Sequence, residues 1–432
     1  MPIHRILLAA LCLVCVALTG CGKSGSSNTN AQMRILNAFA EAPSLNVTVN
    51  AKPVATALTF PGLTQYAGID GGTPTFIVSV TGAPTTLVNS MVNVPSGNYT
   101  YVVFGPLTGV ATLLLNDSFS DPGNGFFAVR VLNAAAGSGA LDIYLTAPGA
   151  DLAATSPTIA GVAYGATSSF TPVTIGTNFE IRVTPSGSKD VIYDTAPRTF
   201  AEHSGTNIVL FGKGSGKLVD VAVLNDDSVG SGAIAENLLA QYKIVNASQV
   251  PSALNIFVDS ILQLSNVPFT GVSNYQRTSA GAHNLRIEAT STPGATLLAL
   301  STSFAAATDT SIALTGPAGA LKAVVLNDDN LPPPSGTAGV RVVNTSVDVP
   351  SFDVFVNFGK QISALASNTA SGYVSLTAAA TTGTAYQFDF NVSGATQAVL
   401  TLPGVVLTAA HKYTIYVAGP AGALKAIVTQ DN

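Results

Sequence analysis

The 432 residues contain no tryptophan, and only 9% of them are charged. Cysteine occurs three times, at Cys12, Cys15 and Cys21. Everything beyond residue 21 is therefore without a disulfide framework or a thiolate metal site. A chain of this kind outside a reducing compartment must be held by its cores alone, and units of about 100 residues are large enough for that. The net charge is −5 with scattered Lys and Arg. That balance gives no electrostatic footprint for nucleic acid and no polybasic patch for anionic lipid. Past the N-terminus no stretch offers the roughly 20 continuous apolar residues of a membrane span. Amphipathic helical periodicity is also missing, and only residues 234–241 leave room for a turn or two of helix.

What the chain has instead is repetition. Residues 129–145 read VRVLNAAAGSGALDIYL, and the same grammar recurs at 33–49 (MRILNAFAEAPSLNVTV), 242–258 (YKIVNASQVPSALNIFV) and 340–356 (VRVVNTSVDVPSFDVFV). Each copy is a β-rich run ending in Asn (Asn37, Asn133, Asn246, Asn344), a loop of small residues, and a second run alternating apolar with polar. A glycine marks a late hairpin (Gly105, Gly212, Gly316, Gly419), and a closing strand ends LLLND, AVLND, VVLND or IVTQD. A period near 100 residues means whole domains in tandem, since solenoid units are far shorter. Forty glycines and 24 prolines punctuate many short alternating runs, which predicts an all-β chain of four tandem immunoglobulin-like β-sandwich domains. The expected boundaries are 33–117, 126–226, 240–328 and 338–432. Linkers are expected at 118–125, 227–236 and 329–338, the last stiffened by Pro332, Pro333 and Pro334. The whole is expected to resemble four beads on a partly rigid string.

The N-terminus carries an address. Residues 1–5 are basic, 6–18 are apolar but short for a permanent span, and Leu18-Thr19-Gly20-Cys21 follows. This order resembles the signal peptide and lipobox of bacterial lipoproteins. The resemblance implies cleavage after residue 20 and a Cys21 carrying acyl chains such as palmitate, more than one of which makes anchoring stable. Gly22 stands where Asp would favour the inner membrane, so the resemblance implies the outer membrane of the cell envelope, facing the periplasm or the surface. Residues 21–32 are expected to be a flexible tether.

The repeat itself resembles a bacterial family catalogued as domain of unknown function 4397. VRVLNA with LDIYL, VRVVNTS with PSFDVFV, YKIVNAS with LNIFV and RILNAF with LNVTV match its opening strands, and the LND-type closing strands match its end. The second repeat departs in having Gly137-Ser138-Gly139 where a proline is usual. The family brings no catalytic residues or cofactors with it, so the resemblance implies a fold and an address.

Candidate chemistry is sparse. Residues 212–217 (GKGSGK) have the wrong spacing for a phosphate loop, with Leu218 where Ser or Thr should hold magnesium. They also align with the hairpin GPAGAL of the last two repeats. No GxSxG is present. His203, His283 and His411 fall in different domains and read as solvated residues at strand ends. The second-strand position Asn46, Asp142, Asn255 and Asp353 alternates amide with acid, which a proton-transferring carboxylate could not do. It reads as an outward-facing residue that bonds a neighbouring loop or water. Acids and amides cluster at the junctions (Asp117 with Asp121, Asp226 with Asp227, Asp328 with Asp329). They offer hard oxygens to calcium, though Asn and Asp are also simply turn formers. Tyr144, Tyr275 and Tyr386 are candidates for glycan contact, with strand packing as the plainer reading. No catalytic, cofactor or metal site emerges. The expected function is that of a non-enzymatic, lipid-anchored envelope interaction module. The alternatives are a glycan- or peptidoglycan-binding protein, an accessory to an envelope enzyme, and, more remotely, a hydrolase whose site assembles between domains.

Overall fold

The computed structural model describes residues 30–83, 85–212, 218–227 and 229–432. The signal segment, Cys21, most of the tether and all of the GKGSGK run after Gly212 lie outside the described residues. The fold is all-β: four sandwiches follow one another, each built from two sheets. No helix among the described residues is long and apolar enough to cross a membrane.

In the first domain the opening strand Asn30–Asn37 sits at the centre of one sheet. It runs parallel to the penultimate strand Gly97–Phe104, which pairs antiparallel with the closing strand Ala111–Asn116. The second sheet takes the order Lys52–Thr59, Ser44–Val49, Thr75–Val80, Thr86–Met91. The same plan recurs in the other domains. The opening strands Phe126–Ala134, Leu239–Asn246 and Thr337–Asn344 run parallel to Gly205–Gly212, Asp309–Thr315 and Lys412–Ala418. Each of these strands is covered on both faces, which is why they read as near-continuous apolar runs. Their alternate residues enter the sandwich cores: Met33 and Ile35, Val129 and Val131, Tyr242 and Ile244, Val340 and Val342.

Two local expectations change. The first strand already begins at Asn30, inside the stretch read as tether. Residues 234–241 form no helix; Gly232–Ala235 is an added edge strand on the second domain's sheet, and Leu239–Asn246 opens the third domain. Apolar residues at alternate positions with no 3.6-residue stripe favour strand there.

The larger change concerns the string of beads. The opposite faces of the opening strands do not meet water. Leu36, Val102, Phe104 and Leu115 of the first domain pack against Leu132, Val209, Phe211 and Leu224 of the second. Val245 and Ala313 of the third pack against Val343, Tyr416 and Ile427 of the fourth. The chain is thus two clasped pairs of domains. Apolar residues on the outward face of the first sheet supply the reason, since that face gains the hydrophobic term only against another domain.

Candidate functional site

The residues that recur in every domain are the natural place to look for a site, and each of them is engaged in holding the fold. The strand-ending asparagines are all fully buried. The side-chain amide of Asn37 donates to the Leu58 carbonyl at 2.9 Å, and its oxygen accepts the Phe39 N–H at 3.1 Å. Asn133 donates to Val162 and Gly139, Asn246 to Val267, and Asn344 to Leu365 and Val349, while their oxygens take the N–H two residues on. One side chain therefore caps the strand and ties the first sheet to the third strand of the domain, in the second sheet. The amide does both from two separate atoms, which an ionised carboxylate of the same shape cannot.

The amide-or-acid position of the second strand has a different task. Asn46 accepts the Ala57 N–H at 2.8 Å, Asp142 that of Gly161 at 2.7 Å, Asn255 that of Asn266 at 3.0 Å, and Asp353 that of Ala364 at 2.8 Å. All four partners have φ between 48° and 64°, and the strand register slips beside each. The side chain is the acceptor for the N–H of a β-bulge residue. An acceptor oxygen is all the bulge needs, so Asn and Asp interchange. Asp142 and Asp353 are themselves buried.

The junction acids meet cations, and this is the constellation that sequence reasoning missed. Three residues before each strand-ending Asn stands Arg34, Arg130, Lys243 or Arg341. Each lies over an aromatic ring of its own domain: Arg34 over Tyr66 (4.9 Å), Arg130 over Phe170 (4.5 Å), Lys243 over Tyr275 (4.9 Å), Arg341 over Tyr373 (5.0 Å). In the first pair Arg34 reaches Asp117 at 3.4 Å and Asp226, across the interface, at 3.5 Å. It also donates to the carbonyls of Asn225 and Ser231 of the second domain. Asp117 accepts Tyr66, Thr100 and Asn207. In the second pair Lys243 meets Asp431 at 2.7 Å and Arg341 meets Asp328 at 2.6 Å, both between domains. The signal was present as a repeated cation, aromatic and closing acid, but the partners lie in different domains and no local pattern joins them.

Burial pushes the Asp226 carboxyl up to about 8, with the neighbouring Asp117 charge adding to the effect. Burial also raises Asp117, against the pull of Arg34. The calcium reading of these acids gives way to an ionic clasp, because their oxygens already face guanidinium, ammonium, hydroxyl and amide donors. Asp329 likewise meets Lys412 at 2.6 Å, and Asp121 meets His203 at 2.7 Å. Among the described residues no group of three or more His, Cys, Asp or Glu could hold a metal ion.

The histidines divide. His203 is 43% exposed, and its hydrogen bond with Asp121 raises its pKa. His411 binds the Asn432 carbonyl. His283, expected in solvent, is instead buried and packs beside the Phe304 ring. Its Nδ1 is 2.6 Å from Asp259, and its Nε2 is 3.4 Å from the Ser279 hydroxyl but 2.9 Å from the Ser279 carbonyl. A triad base must offer a bare Nε2 to the hydroxyl it deprotonates. The carbonyl can only accept, so it claims an Nε2–H and leaves Ser279 without a base. Gly212, which opens the GKGSGK run, pairs antiparallel with Val219, two residues past its end, and a strand follows where a phosphate loop would enter a helix. Of the candidate tyrosines, Tyr144 is buried, Tyr275 binds Asp328, and Tyr386 is half-buried with its hydroxyl on the Thr377 carbonyl.

Several clefts open among the described residues, and three of them are the following. One of about 550 Å³ lies beside Phe200 and Asp226, and one of about 410 Å³ is lined by Phe60, Tyr373 and the prolines at 332–334. The third, about 590 Å³, opens on the outer face of the fourth domain's second sheet, between Phe355, Phe358, Gln387 and Asp389.

These features define a tandem β-sandwich protein whose shared polar residues are structural. The chain belongs to the family described as Domain of unknown function (DUF4397), which matches residues 31–144, 240–354 and 338–432. No curated protein matches it. Among solved structures it is similar to CBMbc, a family CBM26 protein from Eubacterium rectale Amy13K in complex with maltoheptaose. The identity there is 11%, covering 42% of this chain and 92% of that one, with a TM-score of 0.16. It is also similar to a putative cell adhesion protein from Bacteroides uniformis (12% identity, 48% and 99% covered, TM-score 0.23). The Bacillus anthracis TIE protein is similar over 87% of this chain and 66% of its own (7% identity, TM-score 0.16). Likenesses this distant bear on neither ligand nor activity.

Proposed function

We propose that the chain is a non-catalytic envelope protein, anchored through acylated Cys21, in which two clasped domain pairs act as a scaffold presenting binding surface. One observation carries this reading: in all four domains the strand-ending Asn is taken up by a cap, the second-strand amide or acid by a bulge, and the cation before the Asn by a buried acid or amide. A repeated unit with no shared free chemistry is a spacer and display element, and recognition falls to what differs between copies. The sequence at residues 1–21 supports the address, with the outer membrane favoured by Gly22. Multiple acyl chains would make the attachment stable. Cys21→Ala tests it: the variant moves from the membrane fraction to the soluble or unprocessed fraction. Membrane retention of a processed Cys21→Ala chain contradicts the anchor. A second reading, that of a glycan-binding envelope protein, is favoured by the cleft on the fourth domain.

A further inference from the structure

We propose that this cleft, on the outer face of the fourth domain's second sheet, binds a neutral oligosaccharide. The inference rests on the reading of the chain as a binding module. Phe358 occupies the second position of the hairpin turn Asn357-Phe358, with φ 69°, and is 79% exposed. The equivalent turns of the first and third domains carry Ala51 and Ser260 at the same left-handed position. A bulky side chain there is strained, and a bare phenyl ring in water gains nothing for the fold; a residue that does both points to a ligand.

The floor of the cleft is also peculiar to this domain. Opposite Phe355 stands Asp389, where the other domains have Ile77, Arg182 and Arg286 opposite Thr48, Tyr144 and Phe257. Asp389 is oriented by Thr401 at 2.7 Å and Gln387 at 2.8 Å, which leaves acceptor capacity on the carboxylate. Asn391, beside it, gives its amide N–H to the Ala395 carbonyl. Lys360 supplies an ammonium in the same cleft, 2.7 Å from Asp353, whose carboxyl it holds well below the usual range.

The mixture selects the ligand class. An anion would face Asp389, and a cation would face Lys360. A neutral polyol can donate hydroxyls to Asp389, accept from Lys360, and lay an apolar C–H face on Phe358. Exposed aromatic surface flanked by a few fixed polar groups suits such a ligand.

The test is isothermal titration of the full-length chain, in detergent, with chitohexaose, cellohexaose and maltohexaose. Saturable binding of at least one is expected, weakened at least about tenfold by Phe358→Ser and by Asp389→Asn, and retained by Phe358→Tyr. Phe358→Ser installs the residue the third domain already uses, so the fold is preserved, and circular dichroism checks this. The proposal is overturned if none of the three sugars binds at millimolar concentration or if Phe358→Ser binds unchanged. Phe358-dependent self-association without sugar binding, seen by sedimentation, also overturns it. Membrane attachment through Cys21 is read separately by fractionation, so failure here leaves the scaffold reading to its own test.

Discussion

At the scale of single residues, the four domains separate two tasks that sequence alone shows as similar polar marks. The strand-ending Asn must donate and accept at once, whereas the second-strand position must only accept. Asn246→Asp therefore loses the donor to the buried Val267 carbonyl and places a charge in a fully buried site. It should destabilise the protein by at least about 2 kcal/mol in urea unfolding. Asn255→Asp keeps the oxygen that receives the Asn266 N–H and should shift the same transition little. Equal effects of the two substitutions would contradict the distinction. The invariance of Asn37, Asn133, Asn246 and Asn344 was legible as a motif, and the alternation at Asn46, Asp142, Asn255 and Asp353 was legible as that of an acceptor for neighbouring backbone. The bulge each of the latter serves was not legible, because Ala57, Asn266 and Ala364 take positive φ without being glycine.

At the scale of elements, the closing hairpin shows what a repeated glycine means. Gly105, Gly316 and Gly419 have φ from 94° to 101°, and a Cβ on any of them would sit 2.7–2.8 Å from a backbone carbonyl oxygen of the same loop. The corresponding loop of the second domain, which follows Gly212, lies outside the described residues. Gly316→Ala should destabilise the third domain by about 1–3 kcal/mol. Gly319→Ala, three residues on with nothing within 4 Å, should be near neutral. Thermal melts of the two variants compare them directly. Alternation and turn residues made the strands legible. The extra edge strand Gly232–Ala235 was not, because the short run GAIA after a closing strand reads as linker until Val221, Ala222, Val223 and Leu224 are seen to pair with it.

At the scale of the whole molecule, the clasp between domains combines an apolar face with a buried ionic centre. The apolar half could be suspected from opening strands that are hydrophobic on both sides. The ionic half could not, since Arg34 and Asp226 are 192 positions apart and belong to different repeats. The first pair is also the less evenly matched. Arg34 stands 3.4–3.5 Å from both acids, and Arg130 reaches the acids through Asn207, which it contacts at 2.7 Å. Tyr66 and Thr100 donate to Asp117 alone and the Asn207 amide to both acids, while Asp226 has one buried oxygen without a donor. That asymmetry makes Asp226 the acid that keeps its proton, with a pKa near 8 caused first by burial and then by the Asp117 charge. Below about pH 4 the folded and unfolded chains both carry this proton, and it contributes no slope. Between about pH 4 and 8 the unfolded chain has released a proton that the folded pair retains, so stability falls by up to about 1.4 kcal/mol per pH unit and levels off above that window. Asp226→Asn keeps the side-chain size, supplies a neutral group and removes this term. In urea unfolding at pH 5 and pH 8, the variant should therefore lose less stability on going to pH 8 than the parent, with the gap opening on the alkaline side. Parallel losses in the two proteins would place the charge of this clasp elsewhere.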